Sequence, residues 1–144
     1  MKNFDDVIIN KSDSIRKCVG RVREIFSDVG EDKFREDHFA QDSALLNIQR
    51  ACEQAVDLAN HVVKLRKLGV PNEARDSFEF LFRAKIIDQN LSEKMKKMIG
   101  FRNIVVHDYQ SINIDIAISV IVKSLDELLE FCDVILSQHR SLIS

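Results

Sequence analysis

The chain has 144 residues, a formal net charge of -2, 45% hydrophobic and 31% charged residues. That length suits a single soluble domain spanning 1–144, large enough to bury a core without staples. The charge argues against binding nucleic acid by bulk attraction, so any RNA contact has to be a local patch. Four glycines and one proline seldom ask the backbone for special conformations, which favours long helices over a loop-rich β fold.

Cys18, Cys52 and Cys132 are far apart with no C-x-x-C spacing. They read as a reduced, cytoplasmic thiol set, not a disulfide framework or a zinc site. No apolar run reaches the length of a membrane span. The start, M-K-N-F-D-D, lacks signal-peptide architecture. A cytoplasmic protein with no membrane partner is expected.

In chain order, helical periodicity first runs from about Asp5 to Asp28, through Val7, Ile8, Ile15, Cys18, Val19, Val22, Ile25 and Phe26. Gly30 is the stop signal, and the polar run Glu31 to Asp37 is expected to be a loop or a frayed turn. A long amphipathic helix follows from about Phe39 to Leu68, with Asp42 as candidate N-cap and alanines along its seam, which permits close helix approach. Asp57 and His61 sit four apart, as do His38 and Asp42. A metal site needs a third ligand and none is evident, so these read as polar-face pairs, with no metal or cofactor.

Gly69, Val70 and Pro71 end that helix. A shorter one is expected over about Glu73 to Ile87, with Phe80 off its main stripe. Asp88 to Asn90 is a break, after which Ser92 is the expected N-cap of the next helix. Lys94, Lys96 and Lys97 read as a solvated face, with a phosphate-attracting rim as the alternative. The last segment, about Asn113 to Arg140, is apolar over more than half its circumference. It therefore needs partners on two sides: its own bundle and a second chain. The result is an all-α, up-and-down bundle of about five helices.

The chemistry concentrates in Ile99 to Tyr109, I-G-F-R-N-I-V-V-H-D-Y. Arg102 is a permanent cation able to hold a phosphate by two parallel hydrogen bonds. His107 is a side chain suited to proton shuttling near neutral pH. The two are five residues apart, roughly 140° around an ideal helix. They share a face only if the helix ends or distorts near His107, as the β-branched run Ile104 to Val106 allows. Asn103 and His107, four apart, do share a face. Cleaving RNA without metal needs a base, an acid and a cation for the charge on phosphorus. One chain offers one histidine and one arginine here, and a two-fold dimer would offer two of each. Against this stand the ordinary readings: His107 structural, Arg102 a surface ion-pair residue, and Tyr109 a partly buried phenol with a bonded hydroxyl.

R-N-I-V-V-H-D-Y resembles the R-x4-H-x-Y signature of HEPN-domain toxins, with Arg102, His107 and Tyr109 at the motif positions. The likeness to the HepT group of bacterial HEPN/MNT toxin–antitoxin pairs extends further. D-S-A-L-L-N-I-Q-R-A-C-E-Q-A-V-D-L-A-N-H-V-V is similar to the group's long second helix. G-V-P-N-E-A-R-D-S-F-E-F-L is similar to its turn and third helix. The resemblance implies an all-α, HEPN-like, homodimeric fold and a metal-independent endoribonuclease acting as a toxin. His107 would be its acid/base, Arg102 would stabilise the phosphorane, and Asn103 would position the phosphate. It also implies RNA as substrate and an MNT-type nucleotidyltransferase antitoxin as partner, transferring AMP to Tyr109. The alternative is a non-catalytic helical module that binds nucleotide or protein.

Overall fold

The computed structural model describes residues 5–143, with side chains up to His139. The opening M-K-N-F, read above for leader architecture, lies outside the described residues. Among these the chain is helical with no strand, and no helix is long and apolar enough to cross a membrane.

Helix α1 (Asp6–Val29) starts where the Asp5 carboxylate accepts the amides of Val7 and Ile8, and it stops at Gly30, whose φ is 83°. A left-handed φ costs glycine nothing, which is why the chain can turn there. The turn leads directly into a short, ordered helix, α2 (Glu31–Phe34), where a loop or a frayed turn is expected. Phe34 is the reason: it is fully buried and meets Phe26 edge-on with ring centroids 5.2 Å apart. One aromatic in a polar run holds that turn against the core.

Helix α3 (His38–Leu65) runs through the centre and packs against α1, α4, α5 and α7. Its seam residues Ala44, Ala51, Ala55 and Ala59 are fully buried, and small side chains there let the α1 backbone lie close. Its N-cap is Asp37, which accepts from the Ala40 amide at 3.0 Å. Asp42, the cap expected from sequence, sits one turn further in.

Helix α4 (Ala74–Arg83) carries a reciprocal capping box between Glu73 and Asp76. It ends before the expected Ile87: Lys85 adopts φ 62°, and Ile86 and Ile87 bury themselves beyond the helix end. Phe80, off the main stripe, lies over Gly69, where an added Cβ would meet its ring at 2.9 Å. Helix α5 (Gln89–His107) is capped by Asp88, which accepts from the Leu91 amide. The expected break at Asp88 to Asn90 is therefore this helix's first turn. Ser92, expected to cap it, is buried and donates to the Phe78 carbonyl of α4 at 3.3 Å.

After a 3-10 turn over Tyr109–Ser111, α6 (Ile114–Ser119), a π turn (Val120–Ser124) and α7 (Leu125–Ile143) form one length of helix. The π turn rotates the apolar stripe, so that consecutive Val120 and Ile121 are both buried. Cys18, Cys52 and Cys132 are all free and buried.

Candidate active site at the end of the fifth helix

Arg102 lies in the penultimate turn of α5 and is half-buried. Its Nη2 donates to the Glu53 carboxylate of α3 at 2.7 Å, and its Nη1 donates to the Asn103 side-chain oxygen at 3.0 Å. These bonds occupy two of the five N–H groups of a guanidinium. Arg102 also lines a cavity of about 420 Å³ together with Glu53, Gln54, Asp57 and Ile99, among others. Glu53 is 49 positions from Arg102 in sequence, and nothing in the local motif signals it. A partly exposed ion pair of this kind adds little stability. Its effect is to fix where the guanidinium points.

His107 is the last residue of α5 and is exposed. Among the described residues its ring makes no hydrogen bond or ion pair. The helix stays regular through the β-branched run and stops one residue after it, where Asp108 turns to φ -148°, ψ 50° and its amide returns to Ile104. Arg102 and His107 thus remain about 140° apart around one axis. The arginine turns to α3 while the histidine projects from the helix end. No hydrogen bond joins them within one chain.

The 3-10 turn that follows brings the chain back to α3. The Tyr109 hydroxyl donates to Asp42 Oδ1, across 67 positions of sequence. The Tyr109 ring remains 41% exposed. Burial and the adjoining Asp42 carboxylate push its pKa up to about 12. Ser111 closes the turn through its hydroxyl on Asp108 at 2.8 Å.

Of the lysine run, Lys96 is held in ion pairs, with Glu79 at 2.7 Å and Glu93 at 3.6 Å. Lys94 and Lys97 face Glu127 of α7 closely enough to pull its carboxyl down against burial, which holds it raised overall. The four-apart acid–histidine pairs are likewise dispersed. His61 goes to Asp5 at 2.6 Å and Asp57 to Lys11 at 3.3 Å, and Asp42 goes to Tyr109. No group of three or more His, Cys, Asp or Glu able to hold a metal occurs among the described residues.

Comparison with known proteins decides the family: the profile described as Ribonuclease HepT-like matches residues 15–135. This chain belongs to the HepT-like ribonuclease family. The HepT-like chain is 43% identical over 132 residues to the mRNA nuclease HepT of Shewanella oneidensis, covering 92% of this chain and 98% of that one. Its fold superposes with a TM-score of 0.88 on the tri-AMPylated Shewanella oneidensis HEPN toxin solved in complex with MNT antitoxin. That match is at 42% identity and covers 93% of this chain and 99% of the toxin. A toxin–antitoxin structure with AMP-PNP matches with a TM-score of 0.87 at 42% identity, over 92% and 99% of the two chains.

Proposed function

We infer that this HepT-like chain is the toxin of an HEPN/MNT pair, a metal-independent endoribonuclease that works as a homodimer. One observation carries the reading. A single helix presents a guanidinium fixed by α3 with donors to spare, and ends in an imidazole that no other side chain occupies. The 43% identity to an mRNA nuclease supports it over nearly the full length.

In the reaction, the His107 imidazole of one copy takes the proton of an RNA 2′-OH. The 2′-oxygen attacks phosphorus, Arg102 holds the charge that builds on the phosphoryl oxygens, and Asn103 keeps the Arg102–phosphate geometry. The second copy's His107 gives a proton to the departing 5′-oxygen, leaving a cyclic phosphate. Two copies are needed because one chain keeps its arginine and histidine on different sides of α5. Ile104 (44% exposed) and Val106 (39%) on this end, with Ile116 (54%) and Phe39 (90%), offer the apolar surface a second chain would cover.

The experiment is expression of His107→Ala and Arg102→Ala without antitoxin, beside cleavage of a purified RNA in excess chelator. Both variants should relieve growth arrest, and wild type should cleave with the chelator present. Unchanged arrest in both variants ends the catalytic reading. The prior pairing of Arg102 with Glu53 favours one other reading, a helical module that binds RNA or nucleotide without turnover. Binding with no cleavage across an RNA panel would establish it.

The MNT-type nucleotidyltransferase partner neutralises the chain by transferring AMP to Tyr109. The exposed ring supports this, as does the AMPylated state of the 42% identical toxin. An adenylyl group there adds negative charge and bulk at the His107 end of α5, beside the cleft that must receive an RNA phosphate. Co-expression with the transferase should add AMP mass to wild type and none to Tyr109→Phe.

A further inference from the structure

The Tyr109 hydroxyl is not simply displayed to solvent. Its proton is directed at the Asp42 carboxylate, which stands in the second turn of α3 and makes no ion pair among the described residues. Tyr109 as a whole is 41% exposed. The hydroxyl is therefore held by an acceptor on a side chain that solvent still reaches. A phenol attacking phosphorus needs a base placed at its O–H.

We propose that Asp42 is the residue of this chain that aims the Tyr109 hydroxyl and takes its proton during adenylyl transfer. The inference rests on the reading of Tyr109 as the modified residue. In the step, a nucleoside triphosphate bound by the transferase presents its α-phosphorus. The bond from Tyr109 Oη to that phosphorus forms, the bond from phosphorus to the bridging oxygen of the pyrophosphate breaks, and pyrophosphate leaves with the electron pair. The Oη proton passes to Asp42, which later releases it to water. Spontaneous ionisation does not supply the nucleophile, because the phenol is held protonated far above neutral pH. An acceptor at the moment of attack removes that barrier. Asp42 lies 65 positions before His107 and outside the R-x4-H-x-Y signature, so motif comparison alone does not reach it.

The chain offers an unusually clean readout, since it has one tyrosine and no tryptophan. Tyrosinate absorbance in the near ultraviolet therefore titrates Tyr109 alone. Wild type, Asp42→Asn, Asp42→Glu and Tyr109→Phe would be incubated with the purified MNT transferase of the same locus and MgATP, with AMP addition followed by intact mass across neutral and mildly alkaline pH. Asp42→Asn keeps an oxygen acceptor but cannot take a proton. It should slow the first addition about 10²-fold, with a rate that climbs as pH rises where wild type is flat. Asp42→Glu should recover much of the rate. The tyrosinate midpoint should fall in Asp42→Asn. Addition to Asp42→Asn at the wild-type rate overturns the proposal. A slowed rate with the wild-type pH profile overturns it too, leaving Asp42 a structural contact. If wild type gains no AMP, or Tyr109→Phe gains as much, the modification reading itself fails and the proposal falls with it. A midpoint that still drops in Asp42→Asn would then locate the failure in the reading and not in the Asp42 contact.

Discussion

At one end of the bundle, two imidazoles converge on a single aspartate. His61 meets Asp5 Oδ2 at 2.6 Å, and the Asp5 amide donates to His139 Nε2 at 2.9 Å. In that bond His139 Nε2 is the acceptor. At the other end, His107 closes α5 exposed and unbonded. The same side chain type ties the ends of α3 and α7 to the start of α1 in one place and is left idle in the other. A ring with a nitrogen committed to a helix start is poorly placed to exchange protons with a substrate. A ring kept free at the end of a helix, one turn past a fixed guanidinium, can. The difference separates a structural histidine from a reactive one without reference to any motif.

The largest effect should come from exchanging the two treatments. His107→Ala should lower RNA cleavage about 10³-fold and leave the thermal midpoint close to wild type, because an exposed ring with no hydrogen bond or ion pair contributes little stability. His61→Ala should do the reverse, with cleavage near wild type and an earlier melt. Parallel kinetics and thermal unfolding on both variants would decide it. A His61→Ala protein that melts like wild type but cannot cleave would break the contrast. Next in size is Arg102→Lys. Charge is kept, but a lysine cannot bond Glu53, Asn103 and a phosphate in one plane. Single-turnover cleavage should fall about 10²-fold, with RNA binding at low salt much less affected.

Much of this arrangement is legible along the sequence, and the illegible part has a common cause. The stripes of α1, α3 and α5 repeat at helical spacing, and the motif residues announce their chemistry by type. Helix starts were harder. Two capping residues, Asp37 and Asp88, precede first turns in which at least half the residues are polar, whereas Asp42 and Ser92 stand nearer the apolar stripes and so look like better caps. Both of those residues reach another element: Asp42 bonds Tyr109, and Ser92 bonds the α4 carbonyl of Phe78. Glu53 was missed for the same reason, since its partner lies 49 positions away. Periodicity reports what one helix does with its own faces. Which polar side chain on that face meets a residue of a distant helix depends on packing that no local spacing encodes.

Glu53 permits a finer cut at the reactive end. If its task is to hold Arg102 in place, Glu53→Gln, which retains an acceptor oxygen, should cleave nearly as well as wild type. Glu53→Ala should then lose about tenfold, as expected for a loosened catalytic group. If the carboxylate instead competes with RNA phosphate for the guanidinium, both substitutions should tighten RNA binding, and Glu53→Ala should lose no rate. A salt series of binding and cleavage on the two variants separates these outcomes.

The smallest effect belongs to the structural end and concerns acid. Burial pushes the Asp5 carboxyl up, but the His61 hydrogen bond and the Val7 amide outweigh it, so its pKa is held below the usual 3.8. A carboxylate depressed in the folded state contributes stability that is present above its unfolded pKa and lost as pH falls through the folded one. Asp5→Ala removes the α1 cap and the His61 partner together, at a cost of about 1 kcal/mol near neutral pH, with RNA cleavage unchanged. The His139 contact is made by the backbone amide of residue 5, which the alanine variant keeps, so it cancels in the comparison. Urea unfolding of the two proteins should therefore show a constant gap down to the usual carboxylate range, narrowing as acid protonates Asp5. A gap that holds undiminished well below that range would mean that shape, and not the charge on Asp5, joins the helices at this end.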